Sequence, residues 1–503
     1  MKHIQTALIL YPNQLFAPEL LPEVDLIYVV EDPLFFGTDT EYPLALHKQK
    51  LVFHRASMRR YVEELLWPNE LNVEYIELHE IEFSADVLVR ARAAGAEQVF
   101  LFDPVDARLD HRLAAALDGD IETPFELRIL PSPSFLLKQT EVRDYLNDTA
   151  EHTFADFYQW QRERFNILID KNYKPVGGKW SYESTHSGPL PTGQTAPGFN
   201  GFGDNAYVKD ATEWAEKHFA ANPGNVTNFF WPTSHVEASA WLDEFLKERL
   251  EDFSAYQEAI DGTAKFLYHS GISAALNSGL LTPQQVVDTA LAFHEQSPVN
   301  LPSLEAFIRQ IIGWREYIRG VYIAQGEALM KPKESTSRQA RALASQWWDG
   351  TTGIVPLDDV IKKVIQNAYV PQVERQLVVN NLMLLSEIAP DEIYKWCMSL
   401  FIDAYDWVVA PNVYSAYQFN YLRGMVAVSY IAPSNTVLAN SHYQKDVWCD
   451  VWDGLYWSFV ERYKDMLAKD PHTKRITKQL TKLDDDRRRI VGYRAQDFLT
   501  TIS

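Results

Sequence analysis

The stretch Asn367–Val413, NAYVPQVERQLVVNNLMLLSEIAPDEIYKWCMSLFIDAYDWVVAPNV, decides how the rest of the chain is read. One helical run carries Arg375, and a turn follows at Ala389-Pro390-Asp391. A second helical run carries Trp396, Cys397, Asp403 and Trp407. An arginine on one helix and a carboxylate on the next, set among aromatic rings, suit a cradle for a flat, redox-active cofactor.

Outward from this stretch, helical patterns joined by short connections dominate from about residue 226 to 503. The opposite end of the chain reads differently. Apolar runs of strand length occur at Ala7–Leu10, Leu26–Val30, Val73–Ile76 and Gln98–Phe102, with helical patterns such as His47–Leu66 between them. That alternation predicts an α/β domain over residues 1–125, with a doubly wound parallel sheet. Ligands of such sheets sit beyond the strand C-termini, where Gln14, Glu31 and Asp32 fall. No G-x-G-x-x-G occurs, so a dinucleotide fingerprint is absent. Residues 126–225 read as a linker with one helix (Thr153–Leu168) and a loop rich in Gly, Pro, Ser and Thr that begins at Gly177-Gly-Lys-Trp-Ser-Tyr182.

At 503 residues the chain is too long for one ordinary core. No run approaches the roughly 18 apolar residues of a membrane helix. The opening MKHIQTALILYPNQLF reads as a first strand and not as a signal peptide, so a cytoplasmic protein is expected. With 47 Lys and Arg against 68 Asp and Glu, the formal charge of -21 argues against non-specific coating of nucleic acid, though a local basic patch is compatible with it. Cys397 and Cys449 are the two cysteines, too few for a disulfide framework or a four-cysteine metal site. The 14 Trp, 25 Tyr and 26 Phe suit stacking of flat ligands or electron passage between rings as well as core packing.

Two further segments carry candidate chemistry. In Leu267-Tyr-His-Ser-Gly-Ile-Ser-Ala-Ala-Leu276, the hydroxyls of Ser270 and Ser273 open a helix, where free N–H groups suit a diphosphate. In Phe307–Arg319, Arg309, Trp314 and Arg315 gather beside Glu316, offering donor forks and a stacking face.

These segments together resemble the photolyase/cryptochrome superfamily, in particular its bacterial photolyase-related branch. The order Asn-Ala-Tyr369, Arg375-Gln-Leu, Asp403-Ala-Tyr-Asp-Trp-Val and Pro411-Asn-Val is similar to the flavin-binding region, and Gln310-Ile-Ile-Gly-Trp-Arg-Glu-Tyr317 is the most specific match. Near the N-terminus, Asn13-Gln-Leu, Val30-Glu-Asp-Pro-Leu-Phe-Phe36, His47-Lys-Gln-Lys50 and His54-Arg-Ala-Ser-Met58 resemble the antenna domain of that branch. The resemblance implies FAD, with phosphates at Ser270, Ile272, Ser273 and Leu276, and with Arg315, Arg375, Asp403, Val409 and Asn412 around the ring system. It implies an electron relay through Trp348 and Trp396. It implies a lesion pocket at Trp314, Glu316, Gln372 and Tyr430, and a ribityl-lumazine or similar antenna near Gln14 and Glu31.

The pattern also breaks. Pro371 and Gln372 stand where (6-4) repair enzymes of the branch carry a His-His pair, and neither has a proton to transfer near neutral pH. Of the four cysteines that hold an iron–sulfur cluster in the branch, only Cys449 lies in the corresponding region, so no cluster and no other metal site is expected. Cys397 replaces an aromatic residue of relatives next to Trp396, and the basic residue expected after Tyr182 is missing from Glu183-Ser-Thr-His-Ser-Gly188. The expectation is a blue-light flavoprotein, a cryptochrome-like receptor with a protein signalling partner. The alternative is a photolyase acting on damaged DNA; no membrane is implied.

Overall fold

The structure is a computed structural model that describes residues 4–119, 126–148, 153–182, 188–330, 341–418, 431–469, 473–480 and 484–502. Five parallel strands, β1 (Thr6–Leu10), β2 (Leu26–Val30), β3 (Val73–Ile76), β4 (Gln98–Phe102) and β5 (Glu126–Leu130), form one sheet in the order β3-β2-β1-β4-β5. Ala7 aligns with Leu26 on one side of β1 and with Val99 on the other. β1 and β2 are almost continuously apolar because both of their faces are covered. The edge strand β5, ELRIL, has an exposed Ile129 and no fully buried residue. Its weak apolar signal is why the sequence places residue 126 in a connector when it in fact opens a fifth strand.

Helices α1 (Lys48–Arg60), α2 (Asp86–Ala93) and α3 (Ala107–Gly119) make the crossovers. The chain winds outward from β1 to β3 and then returns to the other side of β1. The strand order therefore reverses between β1 and β4, which opens a crevice at their C-terminal ends.

The remainder is helical. The helices that matter for the site are α4 (His235–Glu248), α5 (Ser273–Ser278), α6 (Leu301–Ile308), α7 (Glu316–Met330), α8 (Val355–Asn367), α9 (Pro390–Leu400), α10 (Asp406–Gln418), α11 (Val447–Arg462) and α12 (Asp485–Thr501). α7 packs along α10, and α11 along α12. Trp231, Trp347, Trp396 and Trp452 are fully buried among them, so much of the aromatic excess is core. Two stretches, Arg309–Arg315 and Glu374–Asn380, are wound as π-helix. Among the described residues no helix is long and apolar enough to cross a membrane.

Candidate functional site

Arg375 and Asp403 meet as the opening stretch predicts, with Asp403 in the turn between α9 and α10 and not on a helix. Arg375 leaves the π-wound segment with Nη1 and Nη2 donating to Asp403 Oδ1 and Oδ2 at 2.8 and 3.0 Å, while Nε donates to Val370 O at 2.9 Å. Its guanidinium also lies 4.0 Å from the Phe401 ring centre and 4.8 Å from that of Tyr369. Such a π turn is frequent where a helix must aim a functional side chain. Burial by itself raises the Asp403 carboxyl. Arg375 and the Ser273 hydroxyl outweigh it and hold Asp403 below the usual carboxylate range, so the pair is ionised.

The hydroxyl segment closes on the same carboxylate. Gly271, at φ +66°, turns the chain into α5. From there Ser273 Oγ donates to Asp403 Oδ2 at 2.5 Å, and Asn277 Nδ2 donates to Asp403 O at 2.7 Å. Ile272 and Leu276 are buried beneath it. Ser270 is half-buried, and its carbonyl accepts from Trp241 Nε1 on α4 at 2.7 Å. Val409 is buried on α10. Three residues on, Asn412 donates to Val408 O at 2.6 Å while its Oδ1 is buried without a hydrogen-bond partner.

The sequence reading missed Arg249. It sits 1% exposed at the end of α4, and none of its three side-chain nitrogens has a hydrogen-bond partner. Glu244 Oε1 is 3.8 Å away, and that carboxylate already accepts from Asn200. Burial therefore lowers the Arg249 pKa. The guanidinium lies within electrostatic reach of Tyr369 and of His269, whose Nε2 is likewise buried without a partner. The spacing of Trp241, Phe245 and Arg249, four residues apart on one helical face, is the signal that could have found it.

Trp396 is fully buried. Its Nε1 donates to Trp347 O at 2.9 Å, and its ring makes an edge contact with Phe401 at 5.6 Å. Trp348, the next residue, is half-buried. Arg375, Phe401 and Trp396 are thus in contact in turn, and Trp396 reaches the backbone of Trp347, next to Trp348. Cys397 is buried 3.9 Å from Asn380 Oδ1, and burial pushes its thiol up to about 12, so it is no thiolate.

Other predicted residues hold the fold together. Arg315 is buried, donates to Ser134 O at 3.2 Å and to Asn277 Oδ1, and lies 4.8 Å from the rings of Phe135 and Trp407. It supports the Asp403 cluster through Asn277 instead of facing it. Glu316, expected in a lesion pocket, is fully buried and accepts the N–H groups of Leu136 and Leu137 at 2.7 and 3.3 Å. Gln14 donates to Phe102 O at 2.8 Å across the crevice. Glu31 is saturated by Arg55, Tyr75 and Leu78 N. Tyr11 Oη, Asn13 Oδ1 and Asp32 Oδ2, on residues near them in the chain, are among the buried atoms without hydrogen-bond partners. Trp314 is half-buried and Gln372 exposed. Tyr430 and residues 183–187 lie outside the described residues. Among those described, no group of three or more His, Cys, Asp or Glu could hold a metal ion.

Residues 9–231 match the family described as deoxyribodipyrimidine photo-lyase-related protein. A (6-4) photolyase of Agrobacterium fabrum is 26% identical over 473 residues, covering 90% of this chain and 91% of that protein. Over residues 9–231 the chain is similar to the photolyase-related family. The fold agrees: a bacterial class III photolyase from Agrobacterium tumefaciens superposes with a TM-score of 0.56 at 15% identity, over 98% of this chain and 92% of the other. A Synechocystis cryptochrome superposes with a TM-score of 0.55 at 14% identity, over the whole of both chains. These likenesses place the chain in the superfamily fold and leave receptor and repair enzyme undivided.

The residues of this chain fit FAD, the cofactor that the resemblance implies. An ionised Arg375–Asp403 pair, an unpartnered Asn412 carbonyl and an unpartnered buried guanidinium at Arg249 are the groups a polar ring edge and a diphosphate require.

Proposed function

We propose that this chain is an FAD-dependent blue-light flavoprotein and, more narrowly, a cryptochrome-like receptor. The observation that carries the reading is the ionised Arg375–Asp403 pair joined through Phe401 to the fully buried Trp396. Arg375, Asp403 and Asn412 would hold the ring system, and Ser270, Ser273 and Arg249 the diphosphate. Bound FAD supplies the light absorption and accepts one electron. Trp396 would donate that electron and be refilled from Trp348, nearer the surface. The protein divides on this reading into an antenna-type unit (1–125, completed by β5), a connector running from there to 225 and a flavin unit (226–503), and an antenna of ribityl-lumazine type would meet Tyr11, Asn13 and Asp32.

Receptor is preferred over repair because Gln372 and Pro371 leave no proton donor on the lesion side, and Glu316 is enclosed. A photolyase for a lesion that needs no protonation, such as a cyclobutane dimer, is the second reading, favoured by the half-buried Trp314 beside the site. The test is to reduce the purified protein, illuminate it with DNA carrying each lesion type, and measure repair. Repair of either lesion sinks the receptor reading. A protein without flavin absorbance, unable to take up FAD, sinks both.

A further inference from the structure

The face that α1 turns toward the helices carries polar side chains that the flavin reading does not use. His47 caps α1, its Nδ1 accepting from Gln49 N at 3.1 Å. Its Nε2 must then carry the proton and donate to Ile365 O at 2.8 Å. His47 N donates to Ser399 O at 2.7 Å, and Gln49 Nε2 donates to Gln366 O at 2.8 Å. Lys50 Nζ donates to Ala404 O at 2.7 Å and Met398 O at 3.3 Å.

Four of these five acceptors share one property. Ile365 and Gln366 lie in the last turn of α8, and Met398 and Ser399 in the last turn of α9, where carbonyls have no partner within the helix. The start of α1 therefore caps two helix C-termini at once. The chain leaving α8 and the chain leaving α9 run side by side, with Ile402 N donating to Ala368 O at 2.9 Å. The first of these strands supplies Val370 O to Arg375, and the second carries Asp403. The fifth acceptor, Ala404 O, immediately follows Asp403. Lys50 is 3% exposed, so its ammonium is buried where two negative helix ends and a carboxylate converge.

We propose that Lys50 is a positioning residue for the flavin site: from the sheet side it fixes the turn Phe401–Tyr405, so that Asp403 meets Arg375, and it adds a buried positive charge to the field at the isoalloxazine ring. The inference rests on the FAD reading for its second half only. Burial draws the Lys50 pKa down to about 7, against the pull of Asp403. The other groups facing it hold their charge near neutrality. His47 and His54 on α1 are neutral, drawn by burial to about 4 and about 3, and burial raises the Tyr405 phenol. Arg375 is paired with Asp403. The charge added by Lys50 accordingly changes near pH 7, with no other facing group titrating there.

The test uses Lys50→Met, Lys50→Gln and Lys50→Arg in the full chain. Gln keeps an NH2 for the carbonyls and drops the charge; Arg keeps the charge. In flavin-free protein, amide hydrogen exchange of residues 401–405 is expected to quicken by about tenfold in Lys50→Met, the loss of a charged hydrogen bond, and to recover in Lys50→Arg. In FAD-loaded protein, the flavin midpoint potential is expected to fall in Lys50→Met and Lys50→Gln, and the step in its pH dependence near 7 to vanish. Should Lys50→Met not fold, Lys50→Gln carries the potential measurement and Lys50→Arg the exchange. Unchanged exchange at 401–405 overturns the positioning role, and an unchanged potential and pH profile in Lys50→Gln overturns the charge role. Failure of the protein to take up FAD overturns the flavin reading while the exchange result still stands or falls alone.

Discussion

At the scale of single residues, the site is a balance of buried charges, some hydrogen-bonded and one not. Asp403 is served by Arg375 and Ser273, whereas Arg249 is enclosed with no acceptor within hydrogen-bond distance. Replacing a buried charge whose ion pair is this loose, with Glu244 at 3.8 Å, by an apolar side chain of similar size is neutral or stabilising by up to about 4 kcal/mol. Arg249→Met is therefore expected to hold or raise the urea midpoint of the flavin-free protein and to weaken FAD retention in a gel-filtration assay. A lower midpoint with retention intact would show Arg249 to be an ordinary structural residue. Lys363 presents the reverse case. It donates to Glu374 at 2.7 Å and to Asp261 O and Ala264 O, and Glu374 is fully buried. Lys363→Met leaves that carboxylate unmatched, and denaturant unfolding is expected to show a loss of about 3–5 kcal/mol. Trp396→Phe keeps a ring beside Phe401 but loses the bond to Trp347 O. Its signature would be a slowed loss of oxidised-flavin absorbance under blue light, with stability lower by about 1 kcal/mol.

At the scale of elements, close backbone approach sets what can change. A Cβ at Gly454 on α11 would lie 2.0 Å from Val491 O on α12, so the two helices pack at a distance only glycine permits. Gly454→Ala is expected to push α12 away and destabilise the protein by about 1–3 kcal/mol, read as a lower thermal midpoint. Full wild-type stability would mean that α12 does not pack there. The helices were legible where apolar spacing is regular, as in Pro390–Leu400 with its buried Ile393, Tyr394, Trp396 and Cys397. The π-wound segments were not, because the extra residue per turn leaves no mark on composition. Trp314, Arg315 and Arg375 lie on these segments, and Arg315 turns toward Ser134 and Asn277 and not toward Asp403.

At the scale of the whole molecule, sheet and helices are joined by buried polar networks as well as by apolar packing. Arg108 at the start of α3 reaches Tyr394 Oη at 2.7 Å and Asp406 at 3.1 Å, and Tyr322 donates to the same Asp406. Asp106 and Asp110 lie beside them. Burial, then Asp406, raises the pKa of Asp106. Burial, then Asp103 and Asp106, pushes Asp110 up to about 7. The folded chain therefore keeps protons that the unfolded chain releases near pH 4, so this contribution to stability is present at the acid end and is lost as pH rises through about 7. The depressed Asp403 acts in the opposite sense, but only on acidification below the ordinary carboxylate range. Neutral buried His47, His54 and His269 oppose this slope below about pH 6.5, and Lys50 opposes it above about 7, so the test is a difference: between about pH 5 and pH 8 the urea midpoint of Asp110→Asn is expected to gain on that of the unsubstituted chain as pH rises. An identical slope in the variant would place the titration elsewhere.

The sequence by itself determined the fold class and the core of the site. Apolar runs buried on both faces specify parallel strands, and Arg375, Asp403, Ser273 and Trp396 are placed by motifs whose spacing is local. It also showed the departures at Pro371, Gln372 and the missing cysteines, which are matters of residue identity alone. Only the tertiary structure decided which polar side chains were already committed. Glu31 and Glu316, expected at ligand sites, are saturated by Arg55 and by the N–H groups of Leu136 and Leu137, and Arg249 is buried without a hydrogen-bond partner. Lys50 reads as a surface lysine and binds carbonyls more than 300 positions away, at separations |i−j| of 348 and 354. Whether a charge is satisfied depends on groups brought together by packing, and no local pattern records them.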